Sequence, residues 1–574
     1  LADELLEIKK ADTMRKILYL LIIVAGASLL AIPVSNMTDD KKMWVRIDSL
    51  ESAGLYRSAL RLTEQIYLQA RNGADTETEI KSLIYRLKYT QELEEDGPLA
   101  AISLLEKELP DNRLLPAALK NSMLAELYYR YYSANRWQIN QNPTEDKGPV
   151  QSIKTWSPER FYTFTLNLYK QSLQMPDTLS GYPVGSLPGL WSGNLADTVN
   201  KPYIFDILIS RALEFVEHAS EFSLPELKPS LFCSSDLFSE PSQFFNTGPD
   251  PKVPGTNPYL QAIDWYGLWL RQKDKVSALV PDLQRLRYVY EQSCNVNRDS
   301  LYESALKRWL ISTASDSSNA IVCEALAQFH LDKANGYQIN STDTAKYMGE
   351  RKSSREWLKK AINWPETLAG KRCQNLLTSL IKPELSVQSE FYQIPSVTFP
   401  VSVEYRNLKT IHYRITRMPA IEYYANWNDL QQEEKLNRIA GLKTVKTGSV
   451  ELPDDGLMNQ HRANVILDPL PSGFYLLVFT NQGKEGSEDK LMVAVPVTVT
   501  RTTFVSRTGM SKGIDFYFRD RDNGAVLANL EVIPWFGRYD QVFRRMILEK
   551  GKSNNSGAEG YLFLPDGNPG RNGT

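Results

Sequence analysis

Four histidines, His218, His330, His412 and His461, are the residues with the widest chemical range in this chain. None stands in the His-Glu-x-x-His spacing that puts two imidazoles one helical turn apart on a metal. His330 falls in "ALAQFHLDKA", a helical run in which an imidazole packs or meets solvent more often than it catalyses. "GSLPG" at 185–189 sets a serine beside glycines, but not at the Gly-x-Ser-x-Gly spacing of a nucleophile elbow, and reads as a surface loop. "DRDNGAVLANLE" puts Asp520, Asp522 and Glu531 at the first, third and twelfth places of a calcium loop. Its glycine comes one place early and strands flank it, so the turn reading is the stronger one. Asn523-Gly524 is the pair that a two-residue hairpin turn takes, with both residues at positive φ. No catalytic, cofactor-binding or metal-ligating residue is assigned, and neither enzyme activity nor a cofactor is expected.

The four cysteines, Cys233, Cys294, Cys323 and Cys373, are spaced too widely for a zinc motif. In an oxidising compartment they form up to two disulfides, whose pairing spacing does not give; buried free thiols are the equal alternative. The aromatics of "LYYRYYSANRW" offer either a ligand surface or a core. Tyr128 and Tyr132 share one helical face, which favours packing against a neighbouring helix.

Positioning any of these groups takes several domains. A chain of 574 residues exceeds one hydrophobic core, and ordinary domain sizes give about three or four. With 66 basic and 68 acidic residues the net charge is −2. No basic face is implied, so nucleic acid is not an expected partner. A hydrophobic content of 42% argues for folded domains rather than disorder.

From Met14, "MRKILYLLIIVAGASLLAIPVSN" has two basic residues, an apolar run from Ile17 to Ile32 and small residues at Ala25 to Ser28. These are the three parts of a secretory signal peptide, here 14–35, with cleavage after Ala27 or Ser35. The run is short for a span of about 20 apolar residues, which leaves an uncleaved anchor as the second reading. Either way the expected location is periplasmic, cell-surface or secreted, with membrane contact only through this segment. Residues 1–13 do not suit a signal peptide and read as an upstream extension that is not native. The chain closes on an incomplete hairpin pattern, so a longer protein is expected.

Helical periodicity fills 40–145. Ile47, Leu50, Leu55, Ala59, Leu62 and Ile66 fall at helical spacing, Gly54 separates two runs, and Asn72-Gly73 ends the second. Leu50, Gly54, Tyr56 and Ala59 resemble a tetratricopeptide helical hairpin, as does "SREWLKKAINWPETLAGKRCQNLLTSLI" with Ala361 and Pro365. The polar segment at 140–149 is a linker, and a second helical region covers 146–385, interrupted by a long irregular loop at 223–257.

At Pro383 the period changes. Val401, Val403 and Tyr405 alternate with polar residues, and so do Ile411, Tyr413 and Ile415, giving two half-buried strands joined by Asn407 to Lys409. A helical insert is expected at 427–441. "LPSGFYLLVFTNQG" follows as a central strand apolar on both faces, entered through Gly473 and covered by adjoining helices. The fold class expected is therefore an all-α solenoid-like N-terminal region followed by all-β sandwiches at 391–500 and 501–574.

The strand region resembles a particular family. "FPVSVEYRNLKTIHYRITRM", "LPSGFYLLVFT" and "FYFRDRDNGAVLANLEV", in that order, are similar to the opening macroglobulin domains of bacterial alpha-2-macroglobulins. Glu404-Tyr405-Arg406-Asn407 matches the family's opening strand, and Asp520, Gly524, Ala528 and Val532 match the paired strands of its next sandwich. The helical region, including "ELYYRYYSANRW", is similar to the N-terminal extension of Bacteroidetes-type members. The resemblance implies the N-terminal portion of a secreted or periplasmic endopeptidase inhibitor whose partners are proteases. Such proteins trap a protease after it cuts a bait segment, and many couple to it through a Cys-Gly-Glu-Gln thioester. None of the four cysteines stands in that motif, so bait and any thioester are expected beyond residue 574. The alternative is an extracytoplasmic scaffold whose helices bind a protein partner.

Overall fold

A computed structural model describes residues 39–109, 111–142, 153–191, 201–222, 224, 229–244, 256–339, 344–419, 438–439, 441–481, 491–508, 513–540 and 545–565. The expected signal peptide and upstream extension, most of the expected 140–149 linker, and residues 427–437 and 440 of the expected insert lie outside them. Two compact units divide between Ala314 and Ser315.

The first unit is helical: α1 Asp39–Ser52, α2 Tyr56–Asn72, α3 Thr76–Leu93, α4 Gly97–Glu108, α5 Leu114–Ile139, α6 Pro158–Ser172, α7 Ile204–Glu217, α8 Pro258–Arg271, α9 Leu279–Gln292 and α10 Arg298–Ser312. Side chains ahead of several helices accept otherwise unpaired amides of the first turn. Asp75 receives Thr78 N at 3.1 Å, Ser157 receives Arg160 N at 3.2 Å and Asn257 receives Leu260 N at 3.2 Å. Pro158 and Pro258 follow two of these caps, where a missing N–H is harmless. Gly54 takes φ +70° between α1 and α2, a conformation that suits a residue without Cβ. The apolar stripe of α2, Ala59, Ile66, Tyr67 and Ala70, is buried as its spacing predicts.

The second unit begins with helices α11 Asn319–Ala334, α12 Glu350–Ala361 and α13 Leu368–Ile381, with a single helical turn at Thr344–Tyr347 ahead of α12. Its strands are β1 Glu384–Gln388, β2 Tyr392–Gln393, β3 Phe399–Arg406, β4 Thr410–Arg417, β5 Thr444–Glu451, β6 His461–Leu467, β7 Gly473–Thr480 and β8 Met492–Val499. Then come β9 Thr502–Thr508, β10 Gly513–Asp520, β11 Glu531–Val532, β12 Trp535–Asp540, β13 Arg545–Lys550, β14 Asn554–Asn555 and β15 Tyr561–Pro565. Helix giving way to strand near Pro383 is thus the observed layout.

One sheet has the order β1-β3-β6 and another the order β2-β8-β7-β4-β5. Buried residues of both, among them Val401, Val403, Tyr405, Ile411, Ile415, Leu477 and Val497, form one core. Although only Asn407 to Lys409 separate β3 from β4, the two strands do not pair: the turn carries the chain from one sheet to the other. Strand β7 is central, flanked by β8 and β4, and Tyr475 to Phe479 are buried on both faces. Its outer face packs against Met418, Ile439 and Leu442, of which Ile439 is helical and belongs to the insert expected at 427–441. Pro496 sits in β8 beyond the two residues paired to β2, where no partner asks for its N–H. A third sheet has the order β15-β10-β9, and β11–β14 and β12–β13 form two small ribbons.

Candidate functional site

The structure distributes the sequence candidates among structural roles. Tyr128 is buried, donates to Glu106 Oε1 at 2.6 Å and stacks on Trp156 with ring centroids 5.6 Å apart. Tyr132 stacks on Phe222 at 4.1 Å and donates to the Glu221 carbonyl at 2.7 Å. Trp137, in the last turn of α5, is 83% exposed. His218 caps α7 against the Glu214 carbonyl, and His330 on α11 meets Glu350 Oε2 at 2.6 Å. Ser186 donates to the Pro183 carbonyl, and Gly189 N donates to Glu77 Oε1, so the "GSLPG" loop is fastened to α3.

The Asn523-Gly524 turn differs from the two-residue form. Gly524 alone has positive φ, at +73°, and its N–H donates to the Asp520 carbonyl across a longer loop. The Asp520 carboxylate accepts from Asp522 N at 2.9 Å and Asn523 N at 3.4 Å. With this side-chain cap Asn523 does not take positive φ, which a type I′ turn requires of both central residues. Glu531 lies on β11 and accepts from Ser553 at 2.8 Å.

In the helical unit, part of the expected irregular loop is a strap of short helical turns, Ser230–Cys233, Ser235–Phe238 and Pro241–Phe244. A disulfide joins Cys233 to Cys294, and Cys323 and Cys373 remain buried thiols. Phe232, fully buried, sits edge-on to Tyr259 and Tyr288 at 5.7 and 6.0 Å. Its carbonyl accepts from Ser293 Oγ and Cys294 N. Arg285 of α9, also fully buried, donates to Asp282 Oδ1 at 2.7 Å, the Leu237 carbonyl at 2.7 Å and the Ser239 carbonyl at 2.8 Å. Trp309 of α10 takes the other Asp282 oxygen at 2.7 Å. Burial pulls the Arg285 guanidinium below its ordinary value while the Asp282 charge opposes that pull. Arg285 is thus the clamp that closes the strap, a role carried by its fork of donors.

Within the second unit, side-chain amides fasten loops of the strand region to the helices. Asn459 Nδ2 donates to the Met348 carbonyl at 2.9 Å, fastening the β5–β6 loop to the residues ahead of α12. Asn407 Nδ2 reaches the Leu380 and Lys382 carbonyls at 2.9 and 3.1 Å, holding the end of α13 to the β3–β4 turn. Arg406 on the outer face of β3 pairs with Glu384 of β1, and both charges act on Arg351 of α12. Burial, then the Arg406 charge, lowers the Arg351 guanidinium below its ordinary value.

The β5–β6 loop places Asp454, Asp455 and His461 with ligand atoms within 4.8 Å of one another. Two carboxylates and an imidazole suit a divalent transition metal in kind. Each carboxylate, however, already accepts an N–H of its own turn, Gly456 N at 3.0 Å and Leu457 N at 2.8 Å, and both are exposed. His461 stacks on Tyr405 at 5.5 Å, and the Tyr405 hydroxyl is raised by burial and then by the two carboxylates. The contacts are those of a turn built on its own side chains.

Sequence reading did not single out Arg285 or Arg351, and named Arg406 only within the Glu404-Tyr405-Arg406-Asn407 stretch. The only local signals were Asp-x-x-Arg in α9 and two arginines four apart in α12.

No family model matches the chain, and no curated protein matches it. Among solved structures it is similar to the N-terminal part of the bacterial S-layer protein SbsC, with 11% identity over 79% of this chain and 99% of that one. The TM-score is 0.16, and a likeness of that size carries no argument about fold or function.

Proposed function

We propose that this chain is the N-terminal portion of a secreted or periplasmic alpha-2-macroglobulin-like endopeptidase inhibitor, in which a tetratricopeptide-like helical solenoid leads into macroglobulin-type β-sandwiches. The observation that carries the reading is the strand order of the second unit. Sheets β1-β3-β6 and β2-β8-β7-β4-β5 around one core support it, because a Greek-key sandwich of immunoglobulin type would order its strands in this way. The Tyr475 hydroxyl, at the start of β7, donates to the Pro471 carbonyl at 2.9 Å, which is the tyrosine corner such sandwiches use between the fifth and sixth strands. Both residues belong to "LPSGFY", one of the stretches that carries the family resemblance. The Cys233–Cys294 disulfide supports an oxidising compartment. Among the described residues no helix is long and apolar enough to cross a membrane.

On this reading the bait segment and any thioester belong to sequence after Thr574, and the helical unit is an accessory arm. Incubating the full-length protein with a broad-specificity serine protease tests it. The expected result is limited cleavage, compaction on gel filtration, and a captured protease that still cuts small peptides but not large substrates. Cleavage without compaction or size-selective protection overturns it. The second reading is an extracytoplasmic scaffold whose helices bind a protein partner, favoured by Trp137, an indole left open at the end of α5.

A further inference from the structure

The strap is held in two different ways along its length. Arg285 takes the Leu237 and Ser239 carbonyls at 2.7 and 2.8 Å, and Arg308 of α10 takes the Phe238 carbonyl between them. Leu237 and Phe238 are themselves buried. The hydrogen bonds of the first turn, Ser230–Cys233, go instead to the short stretch between α9 and α10. There the Phe232 carbonyl accepts from Ser293 Oγ at 3.0 Å and Cys294 N at 3.2 Å, and the Cys233 carbonyl accepts from Asn295 Nδ2 at 2.8 Å. The Cys233–Cys294 disulfide joins the same two segments.

Exposure divides the cysteines along the same line. Cys233 and Cys294 are both exposed, whereas Cys323 and Cys373 are fully buried. Thiol–disulfide exchange proceeds by attack of a thiolate on one sulfur, so a bond at the surface is open to a reductant that buried sulfurs do not meet. Beside this surface bond lies an apolar seat. Phe232, the residue before Cys233, is fully buried and edge-on to Tyr259 of α8 and Tyr288 of α9. Tyr288 in turn lies 5.9 Å from Tyr266, whose hydroxyl donates to Glu217 Oε1 at 2.6 Å. The covalent bond thus fixes a ring in a site walled by tyrosines.

We propose that Cys233–Cys294 is a redox latch: reduction by a dithiol frees the Ser230–Cys233 turn and lifts Phe232 from its seat, while Arg285 and Arg308 keep the later part of the strap in place. A thiolate of the dithiol attacks one sulfur, forming a mixed disulfide and expelling the other cysteine as a thiolate that takes a proton from solvent. The second thiol of the reductant then displaces the remaining cysteine. Two electrons pass to the protein, two cysteine thiols form, and the reductant leaves as its own disulfide. Oxidised, the helical unit keeps the tyrosine-walled site closed; reduced, it opens that site beside α8 and α9. The latch is independent of the protease-inhibitor reading, because it uses neither a bait nor a thioester.

The test treats the folded full chain with increasing dithiothreitol, without denaturant, and reads cysteine alkylation by mass spectrometry alongside hydrogen exchange. Cys233 and Cys294 should become alkylated together, while Cys323 and Cys373 stay unlabelled and report that the fold persists. Exchange should rise about tenfold or more at 230–234 and at the Cys294 amide, with 237–244 and α8 to α10 protected as before. Reoxidation with glutathione disulfide should restore the starting pattern. The double variant C233A/C294A should show the reduced pattern at every dithiothreitol concentration, and the wild-type titration stands by itself should that variant not fold. Reduction that needs denaturant, reduction that leaves exchange at 230–234 unchanged, or exchange that rises equally through α8 to α10 overturns the latch.

Discussion

Arg285 in the helical unit and Arg351 in the strand-bearing unit are both arginines drawn out of solvent, and their surroundings differ in one respect. Around Arg285 the donors end on acceptors: Asp282 and two strap carbonyls receive the guanidinium, and Phe244 lies under it at 4.3 Å. Around Arg351 the nearest charges are a second arginine and a glutamate already engaged. A completed network rigidifies, because losing any member strands the others in low dielectric. The buried cluster of Lys120 with Glu79 and Asp111, at 2.7 and 2.8 Å, belongs with the completed kind.

The sharpest way to break the comparison is Arg285→Met. It leaves Asp282 Oδ1 and two strap carbonyls without their donor, and a loss of about 3–5 kcal/mol in denaturant unfolding is expected. A loss below about 1 kcal/mol would show the clamp to be replaceable by water. Removing the disulfide as Cys233→Ser with Cys294→Ser should lower stability by about 2–4 kcal/mol, and hydrogen exchange should rise first in 229–244.

Asp111 adds a pH dependence to the completed network. Burial opposes its charge, but hydrogen bonds from Arg113 and Lys120 outweigh burial and hold the carboxyl well below the usual range. A depressed folded value means stability is present above the unfolded value of about pH 4 and lost as pH falls below it. Asp111→Asn should therefore be less stable at neutral pH, by about 1–3 kcal/mol, and should show a shallower loss of stability below about pH 4 than wild type. Parallel acid profiles for the two proteins would remove Asp111 from the network. In the strand unit, Tyr475→Phe deletes one hydrogen bond and keeps the ring, so about 0.5–1.5 kcal/mol is expected from its unfolding curve. The smallest effect belongs to Arg351→Met, within about 0.5 kcal/mol of wild type or slightly stabilising, because burial and the Arg406 charge already disfavour its guanidinium. A loss as large as that of Arg285→Met would place Arg351 among the completed networks and end the contrast.

Much of this architecture is written locally. Asp75, Ser157, Asn257 and Thr367 sit ahead of helical runs and cap them, Pro383 marks where helix stops, and the alternation from Val401 to Tyr405 becomes the buried face of β3. Capping and alternation depend on residues within a turn or a pleat of each other, so the sequence carries them in short windows. Strand β1, "ELSVQ", was not anticipated, because a short edge strand beside a single partner shows one buried residue and little alternation. The Asn523-Gly524 turn was misread in type because the Asp520 side chain, not the dipeptide, sets its geometry.

What the sequence by itself determined is the succession of helices and strands, the two-sided burial of "FYLLVF" and the number of cysteines open to pairing. Only the tertiary structure decided that Cys233 takes Cys294, that β3 and β4 belong to different sheets, and that the strap carbonyls of Leu237 and Ser239 meet Arg285. These are contacts between residues far apart in the chain. Their existence depends on how whole elements pack, and hydrophobic period fixes which face an element buries without fixing what that face meets.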